Sequence, residues 1–290
     1  MIARAAEVKE RRALVTGCSS GIGLAAALTL HQRGWTVIPT ARRDADLDML
    51  RGHGLEPIRL DLADSTSVQA AAEEVLVHWH GHIGAIINNA GFGQPGALED
   101  LSREAMRYQF EVNVLGLQEL TNRFIPIFRR QGYGRIVNIS SVLGRVSLPS
   151  MGIYSASKFA VEAISDALRV ELRGSGVAVS VIEPGPIATA FGANAVRVGK
   201  QNLAPERSIF GEVYRRQLLD LQKRGRREDR FRRSPEVVAK AILHALTSPR
   251  PRTRYKVTLP AYAGALAARV APDRFLDWLM WRRMVNRLRE

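Results

Sequence analysis

Residues 12–43 read RALVTGCSSGIGLAAALTLHQRGWTVIPTARR. Arg12 to Val15 is a short β-rich run that ends in three glycines, Gly17, Gly21 and Gly23. From 22 to 33, Ile22, Leu24, Ala25, Leu28 and Leu30 recur among small residues at helical spacing. Gly34 stops that helix, and WTVIPTA resumes extended chain. The stretch therefore predicts strand, glycine turn, helix, strand. Glycine at such a turn allows positive φ and close approach of a bound diphosphate. The helix start then offers free N–H groups and the positive end of the helix dipole. A strand before the turn and a helix after it make nucleotide binding the favoured reading over a plain turn.

Outward from this stretch the same alternation continues. LEPIRLDL (55–62) is the third strand, followed by a helix from about Ser65 with Ser65 or Thr66 as its cap. GAIINNAG (84–91) is the fourth strand, 102–130 a long helical stretch and GRIVNIS (134–140) the fifth strand. Helix 152–173, strand VAVSVIEPG (177–185), helix 235–247 and strand RYKVTL (254–259) complete the series. Strands that are continuous apolar runs have both faces covered. The fold class is α/β: one doubly wound domain over 1–260 with a mostly parallel seven-stranded sheet. Residues 190–233 are long, basic and poor in strand signal. An insertion at that place lies over the ligand crevice of such a fold and reads as a substrate loop. Residues 261–290 read as a helical C-terminal extension packed on the same domain.

Composition narrows the classes. The chain has 290 residues, 46% of them apolar, and one cysteine, Cys18. No disulfide framework is available. Apolar runs are too short to cross a bilayer, and the N-terminal MIARAAEVKERR has no signal-like apolar core. The cytoplasm is the expected location, with membrane association an open alternative. The net charge of +14 is uneven. Residues 197–235 carry 12 basic and 5 acidic side chains, and 250–290 carry 10 and 3. The remainder sums to zero. No nucleic-acid module accompanies the charge, so nucleic acid is not an expected partner. An anionic membrane surface, an acidic carrier or plain solubility fit better.

MGIYSASKFA (151–160) places Tyr154 and Lys158 one turn apart on one helix face. A free phenol titrates near ~10, poorly matched to proton transfer at neutral pH. A neighbouring ammonium favours the phenolate and lowers that value.

G-x-x-x-G-x-G at 17–23, NNAG at 88–91 and Y-x-x-x-K at 154–158 come in one order over about 12–190. Together they resemble the short-chain dehydrogenase/reductase family, with its Rossmann domain. The resemblance implies a nicotinamide dinucleotide held by Gly17, Ser19, Ser20, Gly21, Ile22 and Gly23, with Asp61 and Leu62 at the adenine. It places Asn89, Ala90 and Gly91 at the turn after the fourth strand. Pro184, Gly185, Ile187 and Thr189 fall beside the nicotinamide, where Thr189 would bond the carboxamide. An acid at the end of strand two would bind the ribose 2′-hydroxyl of NAD. Here TARRD has Ala41 at that position, then Arg42 and Arg43. A guanidinium pairs well with a 2′-phosphate, so NADP(H) is expected, with Arg42 as the main contact.

The resemblance makes Tyr154 the acid or base of hydride transfer. Lys158 would tune it and bond the nicotinamide ribose as well. Ser141, thirteen residues before Tyr154, would hold the substrate oxygen, with Ser140 as second choice. Asn113 would anchor a water linking Lys158 to solvent. TGCSSGIG, TARR and the long tail look like the hydroxysteroid- and retinol-dehydrogenase-like branch. That implies a hydrophobic secondary alcohol or ketone (steroid-, retinoid- or lipid-like), lipid metabolism, and a homodimer or homotetramer. The alternatives are a 3-oxoacyl-type reductase and a non-catalytic NADP-sensing protein. His78, His80 and His82 alternate at a helix end and do not converge, so no metal is expected. Cys18 reads as a small filler residue. In DRFLDWLMWRRMVNRLRE (273–290), Trp278, Trp281, Val285 and Leu288 recur at helical spacing among arginines. Packing on its own domain or on a second subunit is the favoured reading, with peripheral contact to an anionic membrane as the alternative.

Overall fold

The computed structural model describes residues 5–216 and 231–289. The apolar runs become β1 (Arg12–Val15), β2 (Thr36–Ala41), β3 (Ile58–Arg59), β4 (Ala85–Asn88), β5 (Gly134–Ile139), β6 (Val177–Glu183) and β7 (Arg254–Lys256). They form one sheet in the order β3-β2-β1-β4-β5-β6-β7. Every pairing is parallel, so the sheet is wholly rather than mostly parallel. The order reverses between β1 and β4. A crevice opens at such a switch point, beyond the strand C-termini.

Ten α-helices are described: α1 (Gly21–Gln32), α2 (Asp44–Gly52), α3 (Ser65–His78), α4 (Arg103–Phe110), α5 (Gly116–Gln131), α6 (Gly152–Glu171), α7 (Phe191–Asn202), α8 (Glu236–Thr247), α9 (Leu259–Val270) and α10 (Asp273–Arg289). They cover both faces of the sheet. Successive strand residues point to opposite faces, so Ala13 and Val15 join the core under α1 and α8 with Ala85, Ile87 and Val137. Leu14, Ile86 and Ile136 join the other core, with Phe124 and Phe128 of α5 and Leu168 of α6. Each fully buried side chain of this size contributes about 1.5–3 kcal/mol.

Local chemistry moves several expected boundaries. The third strand holds only Ile58 and Arg59; the Leu60 N–H still reaches Ala41 O at 3.0 Å, and Asp61 Oδ1 accepts from the Ala63 N–H at 3.0 Å in the turn that follows. Asp64, not Ser65 or Thr66, caps α3: its side chain accepts from the Thr66 N–H at 2.9 Å. The stretch expected as one helix over 102–130 is α4, a π-turn over Glu111–Leu115, and α5.

The expected insertion 190–233 holds α7 and a 3₁₀ turn over Pro205–Arg207, while its residues 217–230 lie outside the described residues. Three polar contacts fix its described part. Asn202 Nδ2 donates to Gln94 Oε1 at 2.6 Å. Ser208 Oγ donates to Asp100 Oδ2 at 2.6 Å, and the Tyr214 hydroxyl donates to the same oxygen. The extension holds α9 and α10; Glu290 lies outside the described residues. Among the described residues no helix is long and apolar enough to cross a membrane.

Candidate active site

The glycine turn lies at the crevice because β1 delivers it there. Gly17 has φ +72° and Gly21 φ +61°, the left-handed region that favours glycine. A Cβ on Gly17 would meet Ala90 Cα at 2.7 Å. Ser20 stands at the α1 N-cap without a side-chain bond into the first turn. Asn89 ties the turn to β4: its Nδ2 donates to Thr16 O at 2.9 Å and Gly17 O at 3.1 Å. Thr16 Oγ1 accepts from the N–H groups of Asn89 and Ala90 at 3.0 and 2.9 Å. A cradle kept clear of side chains, over a helix start with no side-chain cap, fits a dinucleotide diphosphate. Cys18 is buried here, and burial pushes its thiol up to about 12, which suits a filler residue.

At the end of β2, Arg42 is exposed. Its Nη1 donates to the Tyr108 hydroxyl at 3.1 Å and lies 3.7 Å from Asp61 Oδ2. Arg43 is engaged elsewhere, in a two-bond pair with Asp46 at 2.7 and 2.9 Å. Of the two arginines, only Arg42 is placed beside Asp61, at the end of the crevice beyond β2 and β3. Leu62 is buried there.

Tyr154, Lys158, Ser141 and Asn113 come from α6, the turn after β5 and the π-turn, and they converge. Lys158 Nζ donates to Ile139 O at 2.8 Å and sits 5.9 Å from the Tyr154 ring centroid. Ser141 caps the 3₁₀ turn Val142–Gly144, accepting from the Leu143 N–H at 3.1 Å, and its hydroxyl acts to lower the Tyr154 phenol. Asn113 is fully buried; its Nδ2 donates to Phe92 O at 3.0 Å and to Ser157 Oγ at 3.2 Å. A π-turn is a common carrier of functional residues, because its extra residue re-aims one side chain. Gly91 closes this side: a Cβ there would sit 3.1 Å from Asn113 Oδ1 and 3.7 Å from Lys158 Nζ.

The electrostatics differ from the sequence expectation. Burial pushes the Tyr154 phenol up to about 12, and the Ser141 hydrogen bond only partly offsets this. Burial also pulls Lys158 down to about 8, against the raising effect of Glu162 one turn on. In the chain alone desolvation therefore outweighs the ammonium, and the phenol is not brought toward neutrality.

The β6 tail completes the crevice. Pro184 O accepts from the Val142 N–H at 2.9 Å. Gly185 packs on Thr258, leaving no room for a Cβ. Ile187 is buried and pairs with Arg233. Thr189 lies against Gly21, with Cγ2 2.9 Å from where a Cβ would stand. A cavity of about 500 Å³ opens beside this contact, lined by Gly21, Leu24, Ala25, Thr189, Ala190 and Pro235. It flanks the glycine turn and does not include Tyr154. His78 ends α3, 3.3 Å from Glu56, with His80 and His82 in the turn beyond.

Sequence reasoning missed Phe191. Its ring lies 5.3 Å from that of Tyr154, and its Cζ would stand 2.7 Å from a Cβ on Gly93. It forms an apolar wall over the phenol. The only signal was an aromatic two residues beyond Thr189.

A model of the short chain dehydrogenase family matches residues 11–198. The uncharacterized oxidoreductase YbbO of Escherichia coli is 39% identical over 94% of this chain and 95% of its own. Retinol dehydrogenase 16 of Mus musculus is 33% identical over 94% and 89%. Human 17-beta-hydroxysteroid dehydrogenase type 1 is 36% identical over 84% and 76%. Among solved structures, a Burkholderia phymatum short chain dehydrogenase/reductase in complex with NAD superposes with TM-score 0.76, at 28% identity over 91% of this chain and 93% of that one. A Burkholderia cenocepacia short chain dehydrogenase in complex with NADP gives 0.71, at 25% identity over 94% and 98%. With the switch-point crevice, the glycine cradle and these likenesses together, the chain belongs to the short-chain dehydrogenase/reductase family of oxidoreductases and resembles its retinol and hydroxysteroid dehydrogenases.

Proposed function

We propose that this oxidoreductase uses NADP(H) to interconvert a hydrophobic secondary alcohol and its ketone. The observation that carries the reading is the convergence of Tyr154, Lys158, Ser141 and Asn113 on the crevice that also receives the glycine turn. Bound NADPH would supply the hydride. Ser141 Oγ holds the carbonyl oxygen, and Tyr154 Oη gives that oxygen its proton. Lys158 holds the phenol side of the crevice positive, and Asn113 fixes the turn over Lys158. In the oxidative direction Tyr154 takes the alcohol proton. Gly17, Ser19, Ser20, Gly21, Ile22 and Gly23 cradle the diphosphate, with Asn89, Ala90 and Gly91 beneath.

Arg42 supports NADP(H) over NAD(H), since it faces the adenosine end while Arg43 is paired away. Phe191 and Met151, both against Gly93, give the site apolar walls that suit a lipophilic substrate. The relatives' names, retinol and 17-beta-hydroxysteroid dehydrogenase, point to the same class. Assembly as a homodimer or homotetramer is part of the proposal; Phe159 and Val170 on α6 are exposed apolar side chains that a second copy could cover.

The test is a panel of retinoids, steroids and acyl substrates assayed for NADPH oxidation. Tyr154→Phe should lose at least a hundredfold in turnover and keep its NADPH affinity. Near-normal turnover would remove the acid/base assignment. Arg42→Ala should weaken NADPH about tenfold or more and leave NADH nearly unchanged. Equal weakening of both would count against the 2′-phosphate contact.

A further inference from the structure

Half of the large apolar side chains exposed among the described residues lie in the last two helices: Leu259, Tyr262, Leu266, Val270, Phe275, Trp278, Leu279 and Trp281. On α9 they are not scattered. At about 100° per residue, Leu259, Tyr262, Leu266 and Val270 fall within an arc of about 80°. Ala261 and Gly264 lie on the opposite side of the helix, about 140–200° from Leu259 by the same spacing. That opposite side is the attached one. Ala261 is buried, and a Cβ on Gly264 would meet Val142 Cγ2 at 2.7 Å. The body therefore grips α9 by its small residues and turns its large ones outward. On α10, Phe275 stacks on Trp278 at 6.0 Å and Leu279 is exposed as well.

The charge around this stripe is mostly basic, with Asp273 and Asp277 the exposed acids on α10. Residues 250–290 carry 10 basic and 3 acidic side chains. Arg269, Arg274 and Arg282 are exposed, and the Arg282 guanidinium lies 5.2 Å from the Trp278 ring centroid. Lys256 lies 5.7 Å from the Tyr262 ring. An isologous contact with a second copy would set this basic face against itself. An anionic surface would neutralise it instead. Tryptophan and arginine together suit the boundary of a bilayer, where rings sit at headgroup level and guanidinium groups reach the phosphates.

We propose that α9 and α10 lie flat on an anionic lipid bilayer as an interfacial anchor. No described helix can span a membrane, so the anchor lies in the surface. Its attachment is to the site itself. Val142, under Gly264, follows Ser141, and Thr258 at the head of α9 packs on Gly185. Docking thus sets the crevice beside the lipid surface, where a lipophilic alcohol or ketone accumulates. This last consequence rests on the proposed substrate class; the docking does not.

The test uses the full-length protein and vesicles of phosphatidylcholine with or without 30 mol% phosphatidylglycerol. Wild type should co-sediment with the anionic vesicles only, and 0.5 M salt should release it. Leu266→Glu/Trp278→Glu changes two exposed residues and should lower the partition coefficient at least tenfold. Its circular dichroism and NADPH binding should be unchanged. Protein left in the supernatant with anionic vesicles overturns the proposal. So does a double variant that binds as well as wild type. If the double variant instead turns a dimer into a monomer in sedimentation velocity, the face belongs to a second copy and the anchor is rejected. Vesicle binding needs no turnover, so failure of the substrate reading would leave this result standing.

Discussion

Lys158 loses its hydration where α6 passes under the end of β5. Its Nζ keeps one protein acceptor, Ile139 O at 2.8 Å, and burial pulls it down to about 8 from the usual 10.5. Between those two values the unfolded chain binds more protons than the folded one, so stability rises with pH there. Below pH 8 the buried ammonium costs about 3 kcal/mol, at 1.36 kcal/mol per unit. Lys158→Met removes that cost and one hydrogen bond worth about 1 kcal/mol. The variant should therefore exceed wild type by about 2 kcal/mol in urea unfolding at pH 7, and the gap should close by pH 10.5. A difference that does not vary with pH would show that Lys158 is not desolvated. Tyr154 faces the same burial from the other side. Held at about 12, its phenol stays protonated in the chain alone. The residue pair was legible in the sequence as a helical i, i+4 pair. The depth of its burial was not, because Phe191 covers it from a different element.

The described part of the insertion after β6 is tied to the body by side-chain contacts. Asp100 accepts from Ser208 Oγ and from the Tyr214 hydroxyl, and Tyr214 accepts in turn from the Ala97 N–H at 2.9 Å. Burial first, and then Asp100, pushes the Tyr214 phenol up to about 12, so it remains a donor at any working pH. Hydrogen bonds to a carboxylate are worth about 1.5–3 kcal/mol each. Asp100→Ala should raise native-state amide exchange in 191–202 by about tenfold or more, since every 1.4 kcal/mol lost is a factor of ten. Amides of α3, which share nothing with this contact, serve as the control. Unchanged exchange in 191–202 would mean that apolar packing, such as Leu203 on Gly96, holds the element instead. The strands and helices that flank the glycines were legible because their signals are local: apolar runs, helical spacing and Gly34 as a stop. The contacts of Asp100 were not, since 108 residues separate it from Ser208. Even the α3 cap was misread by one residue, because Asp64, Ser65 and Thr66 are all competent caps and only the backbone angles choose.

At the scale of the molecule, the far edge of the sheet is held by charges that the sequence total hides. Arg254 on β7 donates to Glu162 Oε2 at 3.0 Å and to both oxygens of Asp166 at 2.6 Å, and its Nε lies 3.3 Å from Glu183 Oε1. Arg145, after Ser141, reaches Glu183 at 3.0 Å and Glu162 at 3.6 Å. One network thus joins β6, β7, α6 and the turn that carries the candidate serine. Burial raises Glu162 above the usual 4.5; Glu183 adds to this and the two arginines oppose it. Burial also works to raise Asp166, but hydrogen bonds from Arg169 and Arg254 outweigh it and hold that carboxyl low. The two linkages differ in sign. The Asp166 contribution is present above the ordinary carboxylate range and is lost as pH falls through its lowered value. Glu162 is a cost at neutral pH that protonation relieves. Arg254→Met removes a counter-charge from both and leaves Glu162 buried beside Glu183 with Arg145 alone. Breaking a buried pair in this way costs about 3–5 kcal/mol. The loss should be largest at pH 7 and shrink toward pH 5, as the stranded carboxyls take up protons. Adding Glu162→Gln to Arg254→Met should restore part of it at pH 7 and little at pH 5. A penalty equal at both pH values, or no coupling in the double-mutant cycle, would mean that Arg254 stabilises the sheet edge by packing its stem and not by its charge.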